Sequence, residues 1–141
     1  MQKPVIIIGI ILIAIIAVFA VFSQGNHNTT QTEYTGIKWH TDVNSAIEEA
    51  KETNKPIIVD FSAKWCSYCK KLDETTFSDS RVQEKLSKNY VVVKIDVDEN
   101  PDVASKYKIY GYPTLVFLNP NGQEIKRQEG YIDPDGLLNE L

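Results

Sequence analysis

Cysteine is scarce in this 141-residue chain: there are two, both in a single Cys-x-x-Cys. Two cysteines exclude a disulfide-dense secreted scaffold and a four-cysteine zinc site. Methionine and histidine are as scarce, at one and two, which argues against a dedicated copper site. The 15 Lys and Arg are outnumbered by 19 Asp and Glu, so the basic stripe of a nucleic-acid binder is missing. Charge is almost missing from the first part of the chain, where Lys3 is the only charged side chain before Glu33. There are no internal repeats, and the length suits one domain plus an appendage rather than a large multidomain enzyme.

What is present is unevenly spread. Val5 to Phe22 is a run of 18 apolar residues, eight of them isoleucine. At 1.5 Å per residue such a helix is about 27 Å long, close to a hydrocarbon core of about 30 Å. Lys3 precedes the run and the next basic residue is Lys38, so the positive-inside rule predicts a cytoplasmic amino terminus and an extracytoplasmic remainder. Residues 1–22 are therefore expected to form a single-pass signal-anchor in the cell membrane. A cleaved secretory signal is the alternative, although signal h-regions are shorter and Val18-Phe19-Ala20 makes a poor cleavage site. A buried core helix would normally keep a polar face, which this run lacks. No cysteine directly follows it, which excludes a lipoprotein anchor. Residues 23–36, rich in Thr, Asn and Gln, read as a flexible polar tether. Within it Asn28-Thr29-Thr30 fits the short N-glycosylation pattern.

Residues 37–141 alternate between helix and strand signals. Val43, Ala46, Ile47 and Ala50 form a helical stripe, with Asp42 as N-cap. Asn54-Lys55-Pro56 ends it, and Ile57 to Phe61 follows as a strand buried on both faces. A helix is predicted from about Cys66 through Leu72, then another capped by Ser80 and Gln83 and carrying Val82 and Leu86. Val91 to Ile95 is the next strand, and Val103, Ala104 and Tyr107 mark a short helix after Pro101. Thr114 to Leu118, the turn Asn119-Pro120-Asn121-Gly122 and Glu124 to Gln128 predict a hairpin, with a last helix over 134–141. Strand–helix–strand and then strand–strand–helix predict an α/β domain with a mixed central sheet flanked by helices. Tyr107, Tyr110 and Tyr131 are expected to be packing residues.

The Cys-x-x-Cys at Cys66-Ser67-Tyr68-Cys69 lies after a buried strand and at a helix start. Thiol chemistry needs that placement, because a helix N-terminus stabilises a thiolate and one turn brings the two sulfurs within bonding reach. Cys66 is expected to be exposed and to attack a disulfide, and Cys69 to resolve the mixed disulfide. Zinc would need two more ligands, with only His27 and His40 on offer, and Lys70 stands where haem attachment requires histidine. A structural bridge closing so short a loop would gain little.

Several separated motifs resemble the thioredoxin superfamily. Val59 to Cys66 is similar to its strand entering the active site, and Lys94 to Pro101 to its third strand and loop. Gly111-Tyr112-Pro113-Thr114 resembles its cis-proline loop, and Asn121-Gly122 its hairpin. Within the superfamily, Cys69 to Leu72 with Thr76 to Asp79 and Val82 resemble the carboxy-terminal domain of the membrane disulfide reductase DsbD. The resemblance implies a thioredoxin fold over 37–141 and roles for particular residues. Asp60 would be the buried acid that exchanges a proton with the resolving thiol, and burial in an apolar strand should raise its pKa. A solvated edge-strand aspartate is the ordinary alternative. Lys94 would approach and tune that acid, unless it is a plain surface lysine. A cis bond before Pro113 would hold the Tyr112 backbone where a substrate strand can pair, a trans strand-starting proline being the alternative. Trp65 would shield the disulfide and touch substrate beside Ser67 and Tyr68, although an aromatic next to a core strand needs no function. Ser67-Tyr68 replaces the Gly-Pro of cytosolic thioredoxins, and Ser62 replaces their second tryptophan.

The expected protein is a membrane-tethered, extracytoplasmic protein-disulfide reductase or electron relay. It carries electrons in the Cys66–Cys69 pair with no metal or other cofactor. Its expected partners are disulfide-containing proteins and a separate membrane electron donor, since the exported compartment is oxidising. A disulfide-forming oxidase or isomerase, or a copper-carrying dithiol chaperone, are the competing readings.

Overall fold

A computed structural model describes residues 36–141. The signal-anchor expected at 1–22, and the tether apart from Gly36, lie outside the described residues. Among the described residues no helix is long and apolar enough to cross a membrane.

The chain runs β1 (Trp39–His40), α1 (Val43–Thr53), β2 (Ile57–Ser62), α2 (Ser67–Lys71), a π-helical turn (Leu72–Thr76) and α3 (Ser80–Asn89). It continues through β3 (Val91–Asp96), α4 (Pro101–Lys106), β4 (Thr114–Leu118), β5 (Glu124–Glu129) and α5 (Pro134–Glu140). The five strands form one sheet in the order β1-β3-β2-β4-β5. β1 and β2 each run parallel to β3, while β4 runs antiparallel to both β2 and β5. The mixed sheet expected from the sequence is present, with β2 at its centre.

Alternation along the strands divides the core into two layers. Ile57, Val59 and Phe61 join Val91, Val93, Ile95, Val116 and Leu118 beneath Val43, Ala46 and Ala50 of α1. The opposite face puts Ile58, Val92, Leu115 and Phe117 against Leu72, Phe77, Val82, Leu86 and Leu137. Burying both faces explains why β2, β3 and β4 read as mainly apolar runs, interrupted by Asp60 in β2 and Lys94 in β3, rather than as alternating ones.

Helix ends follow local chemistry. The Asp42 carboxylate accepts from the Ser45 N–H at 2.8 Å, as the sequence predicts, and Asn54 closes α1 in the left-handed conformation. The cap of α3 differs from expectation. Asp79, not Ser80, accepts from the N–H groups of Arg81 and Val82, and Gln83 donates instead to the Phe77 carbonyl at 2.8 Å. Ser80 has become the first helical residue because the carboxylate one position earlier already satisfies the free donors.

Two further features escaped the sequence reading. β1 has only two residues, too few to leave a periodic signal. The helix predicted from Cys66 through Leu72 changes character after Lys71, where Phe77 donates to the Leu72 carbonyl five residues back at 3.0 Å.

Candidate functional site

β2 delivers the chain to one end of the sheet, where Ala63, Lys64 and Trp65 lead to a disulfide between Cys66 and Cys69, whose Cα atoms are 5.3 Å apart. Cys66 is the N-cap of α2, and its Sγ accepts from the Cys69 N–H at 3.2 Å. That geometry corrects the expected exposure of Cys66. An N-cap side chain folds back over its own first turn, so Cys66 is only 6% exposed and belongs to the apolar layer with Ala63, Cys69 and Ile109. Between Ala63 and Cys69 the exposed residues are Lys64, Trp65, Ser67 and Tyr68.

The peptide bond between Tyr112 and Pro113 is cis. Pro113 is buried, and the Thr114 hydroxyl donates to the Gly111 carbonyl at 2.8 Å, closing the loop on itself. The Tyr112 ring meets the Trp65 ring edge-on at 5.9 Å between centroids, so the loop and the Cys-x-x-Cys segment touch. Trp65 is pinned from its other side, because its indole N–H donates to an Asp98 carboxylate oxygen at 2.9 Å. Asp98 was not singled out in the sequence; it lies in the loop after β3, where no periodicity marks it.

Asp60 stands on β2, opposite Lys94 of β3 and Leu115 of β4. It is 1% exposed, which removes the edge-strand alternative, and one of its carboxylate oxygens, Oδ1, has no hydrogen-bond partner. The other, Oδ2, lies 3.3 Å from the Lys94 ammonium. Loss of solvation dominates and pushes the Asp60 carboxyl up to about 6; the Lys94 charge opposes this, and a negative charge on Asp73 adds to it. Lys94 is 30% exposed and also pairs with Asp73. Its ammonium lies 5.1 Å from the Trp39 ring centroid and 5.5 Å from that of Phe77, two rings that meet edge-on at 4.9 Å. The short edge strand β1 thus supplies one wall of the lysine's surroundings.

Asp73 is a residue the sequence reading missed. It follows Cys69 by four positions, a spacing that puts both on one side of a helical turn, but its partner Lys94 is 21 residues further on. A cleft of about 750 Å³ is lined by Cys69, Asp73, Lys94, Trp39 and Phe77, among others. Cys69 of the disulfide and the lysine paired with the buried acid therefore border a common cleft.

The tyrosines separate. Tyr107 packs on Phe61 at 5.4 Å between centroids, and Tyr131 lies against the second core layer. Tyr110 corrects the expectation, being 89% exposed. It follows the buried Ile109 on the loop leading to Pro113, where the chain turns outward.

Comparison with known proteins gives a consistent picture. A family model for a thioredoxin-like domain matches residues 43–141. The thiol:disulfide interchange protein DsbD of Campylobacter jejuni strain RM1221 is 41% identical over 98 residues, covering 67% of this chain and 17% of that protein. The match thus spans less than a fifth of that relative's length. A solution structure of a thioredoxin from Thermus thermophilus is 28% identical with a TM-score of 0.66, covering 74% of this chain and 83% of that one. A DsbH oxidoreductase structure, 22% identical with a TM-score of 0.64 over 74% of this chain and 81% of that one, shares the fold.

Proposed function

The chain belongs to the thioredoxin-like domain family, and from that premise we propose a membrane-tethered, extracytoplasmic thiol–disulfide oxidoreductase that reduces protein disulfides or relays electrons to them. The observation that carries this reading is the Cys66–Cys69 disulfide whose inner sulfur residue shares a cleft with Lys94, itself 3.3 Å from the buried Asp60.

In the proposed cycle the reduced Cys66 attacks a partner's disulfide and forms a mixed disulfide. Cys69 then attacks Cys66, releasing the partner as a thiol and restoring the Cys66–Cys69 bond. Asp60 takes the Cys69 proton, a role supported by a carboxyl poised at about 6. Trp65, Tyr112, Pro113, Ser67 and Tyr68 make the surface the partner meets; four of these are supported by exposure or by the Trp65–Tyr112 contact. The electron pair is carried by the reduced Cys66–Cys69 dithiol, and the proposed cycle calls on no metal or other cofactor.

Tethering rests on the 18-residue apolar run from Val5 to Phe22. An exported reductase needs electrons from across the membrane. A separate membrane protein is the proposed donor, which agrees with the likeness to a small part of DsbD.

The test is the reduction potential of the full chain in detergent, equilibrated against glutathione or dithiothreitol with thiol trapping. A value near about −270 mV is expected for a reductant. One near about −120 mV would overturn the direction and make disulfide formation the function. The two differ by roughly 7 kcal/mol, at about 1.4 kcal/mol per 30 mV.

A further inference from the structure

Lys94 has two acidic neighbours with different access to water. Asp60 is buried at 1% exposure, whereas Asp73 is 47% exposed on the π-helical turn and lines the cleft. The ammonium pairs with both. We propose that Asp73 is a positioning residue for proton transfer at Cys69, holding the Lys94 ammonium whenever Asp60 carries the proton. The proposal rests on the thiol–disulfide reading above.

The chemistry requires such a partner. During resolution the Cys69 thiol gives its proton to the Asp60 carboxylate, and the Cys69 sulfur attacks the Cys66 sulfur of the mixed disulfide. The Cys66–Cys69 bond forms, the bond from Cys66 to the partner breaks, and the partner's sulfur leaves with the electron pair and takes a proton from water. The dithiol is thereby oxidised and the partner's disulfide reduced.

Asp60 is now neutral, and Lys94 would lose its counter-charge in a part-buried position, an arrangement that costs several-fold more than in water. Asp73 removes that cost, because the ammonium is already in contact with it. When Asp60 gives its proton back to the cleft, Lys94 is shared again. Both protonation states of the buried acid thus leave the lysine paired.

The charged groups facing Asp60 are few. β3 presents Lys94 and the π-helical turn presents Asp73, while β4 places apolar Leu115 opposite; Cys69 of α2 lines the cleft that Lys94 and Asp73 share. Lys94 also faces the uncharged rings of Trp39 and Phe77. Lys64, across the cleft, is engaged by Glu99 and Asp96.

The experiment follows the Asp60 carboxyl carbon by NMR through a pH titration of the oxidised full chain in detergent. Asp73→Asn and Asp73→Ser should each lower the Asp60 midpoint by about half a pH unit or more, because Lys94 is released to Asp60 alone. Asp73→Glu should keep the wild-type midpoint. In a Lys94→Gln background the shift caused by Asp73→Asn should shrink to less than half. An unmoved midpoint in Asp73→Asn and Asp73→Ser, or a shift of equal size with and without Lys94, would overturn the proposal. So would an Asp73→Glu protein that titrates like Asp73→Asn. The titration needs no partner protein, so failure of wild-type disulfide exchange would remove the functional reading without imitating any of these results.

Discussion

Asp60 and Lys94 are registered neighbours on the two central parallel strands, and the carboxylate and ammonium meet at 3.3 Å with the acid sealed from solvent. Lone burial would neutralise the acid and lone pairing would keep it ionised. Together they leave it near the middle of the physiological range, at about 6.

That balance has a cost in stability. The folded Asp60 binds its proton more tightly than the unfolded chain does, so ionising it opposes folding. Stability should fall as pH rises from about 4 to about 6 and stay low above that, by roughly 3 kcal/mol at 1.36 kcal/mol per unit. Asp60→Asn removes the penalty and leaves Lys94 paired with Asp73. In the oxidised protein it should stabilise by about 2–3 kcal/mol at pH 7.5 and by almost nothing near pH 4. Urea unfolding at both values checks this, and an equal gain at both would show that ionisation is not the cause.

The two cysteines should fail differently. Cys66→Ser is expected to abolish exchange, lowering the rate by at least about a thousandfold, since Cys66 is the proposed attacking thiol and Cys69 the resolving one. Cys69→Ser should still attack but accumulate covalent complexes with partner proteins. Non-reducing gels of alkylated samples separate the two outcomes, and trapping by Cys66→Ser instead would reverse the assigned roles.

Tyr110 is the test of a surface rather than a core. At 89% exposure, its replacement by Ser should change stability by less than about 0.5 kcal/mol. A packed tyrosine would lose several times more.

Gly122 closes the hairpin between β4 and β5 with a φ of +83°, and a Cβ there would stand 2.6 Å from Ile47 Cδ1. Gly122→Ala should therefore destabilise by about 1–2 kcal/mol from backbone conformation alone, with the Ile47 contact adding to it. Thermal unfolding at fixed pH measures the loss; a neutral result would mean that the turn re-forms in another conformation.

The elements legible in the sequence were those with many residues voting together. β2, β3 and β4 carry dense apolar runs, broken only by Asp60 and Lys94 before their last residues, because both faces of the sheet are covered, and α1 carries four stripe residues and its own cap. The active dipeptide positions and the proline loop were legible through motifs. What escaped depended on contacts between distant parts of the chain. Trp39 matters because its ring reaches Phe77, 38 positions away. Asp73 matters because of Lys94, and Asp98 because of Trp65. The cap of α3 was misplaced by one residue since Asp79 and Ser80 are both good caps and only packing decides between them. Cys66 was expected outside because a nucleophile must be reached, yet its place at the N-cap turns the sulfur inward.

The sheet is built differently at its margins than at its centre. Its two margins are β1, with two residues, and β5, whose sequence Glu-Ile-Lys-Arg-Gln-Glu is mostly charged and largely exposed. Neither offers a long, flat, uncharged ribbon onto which a foreign chain could zip. The domain is thereby guarded against edge-to-edge pairing with a second chain, whether a copy of itself or a stretch of bare backbone.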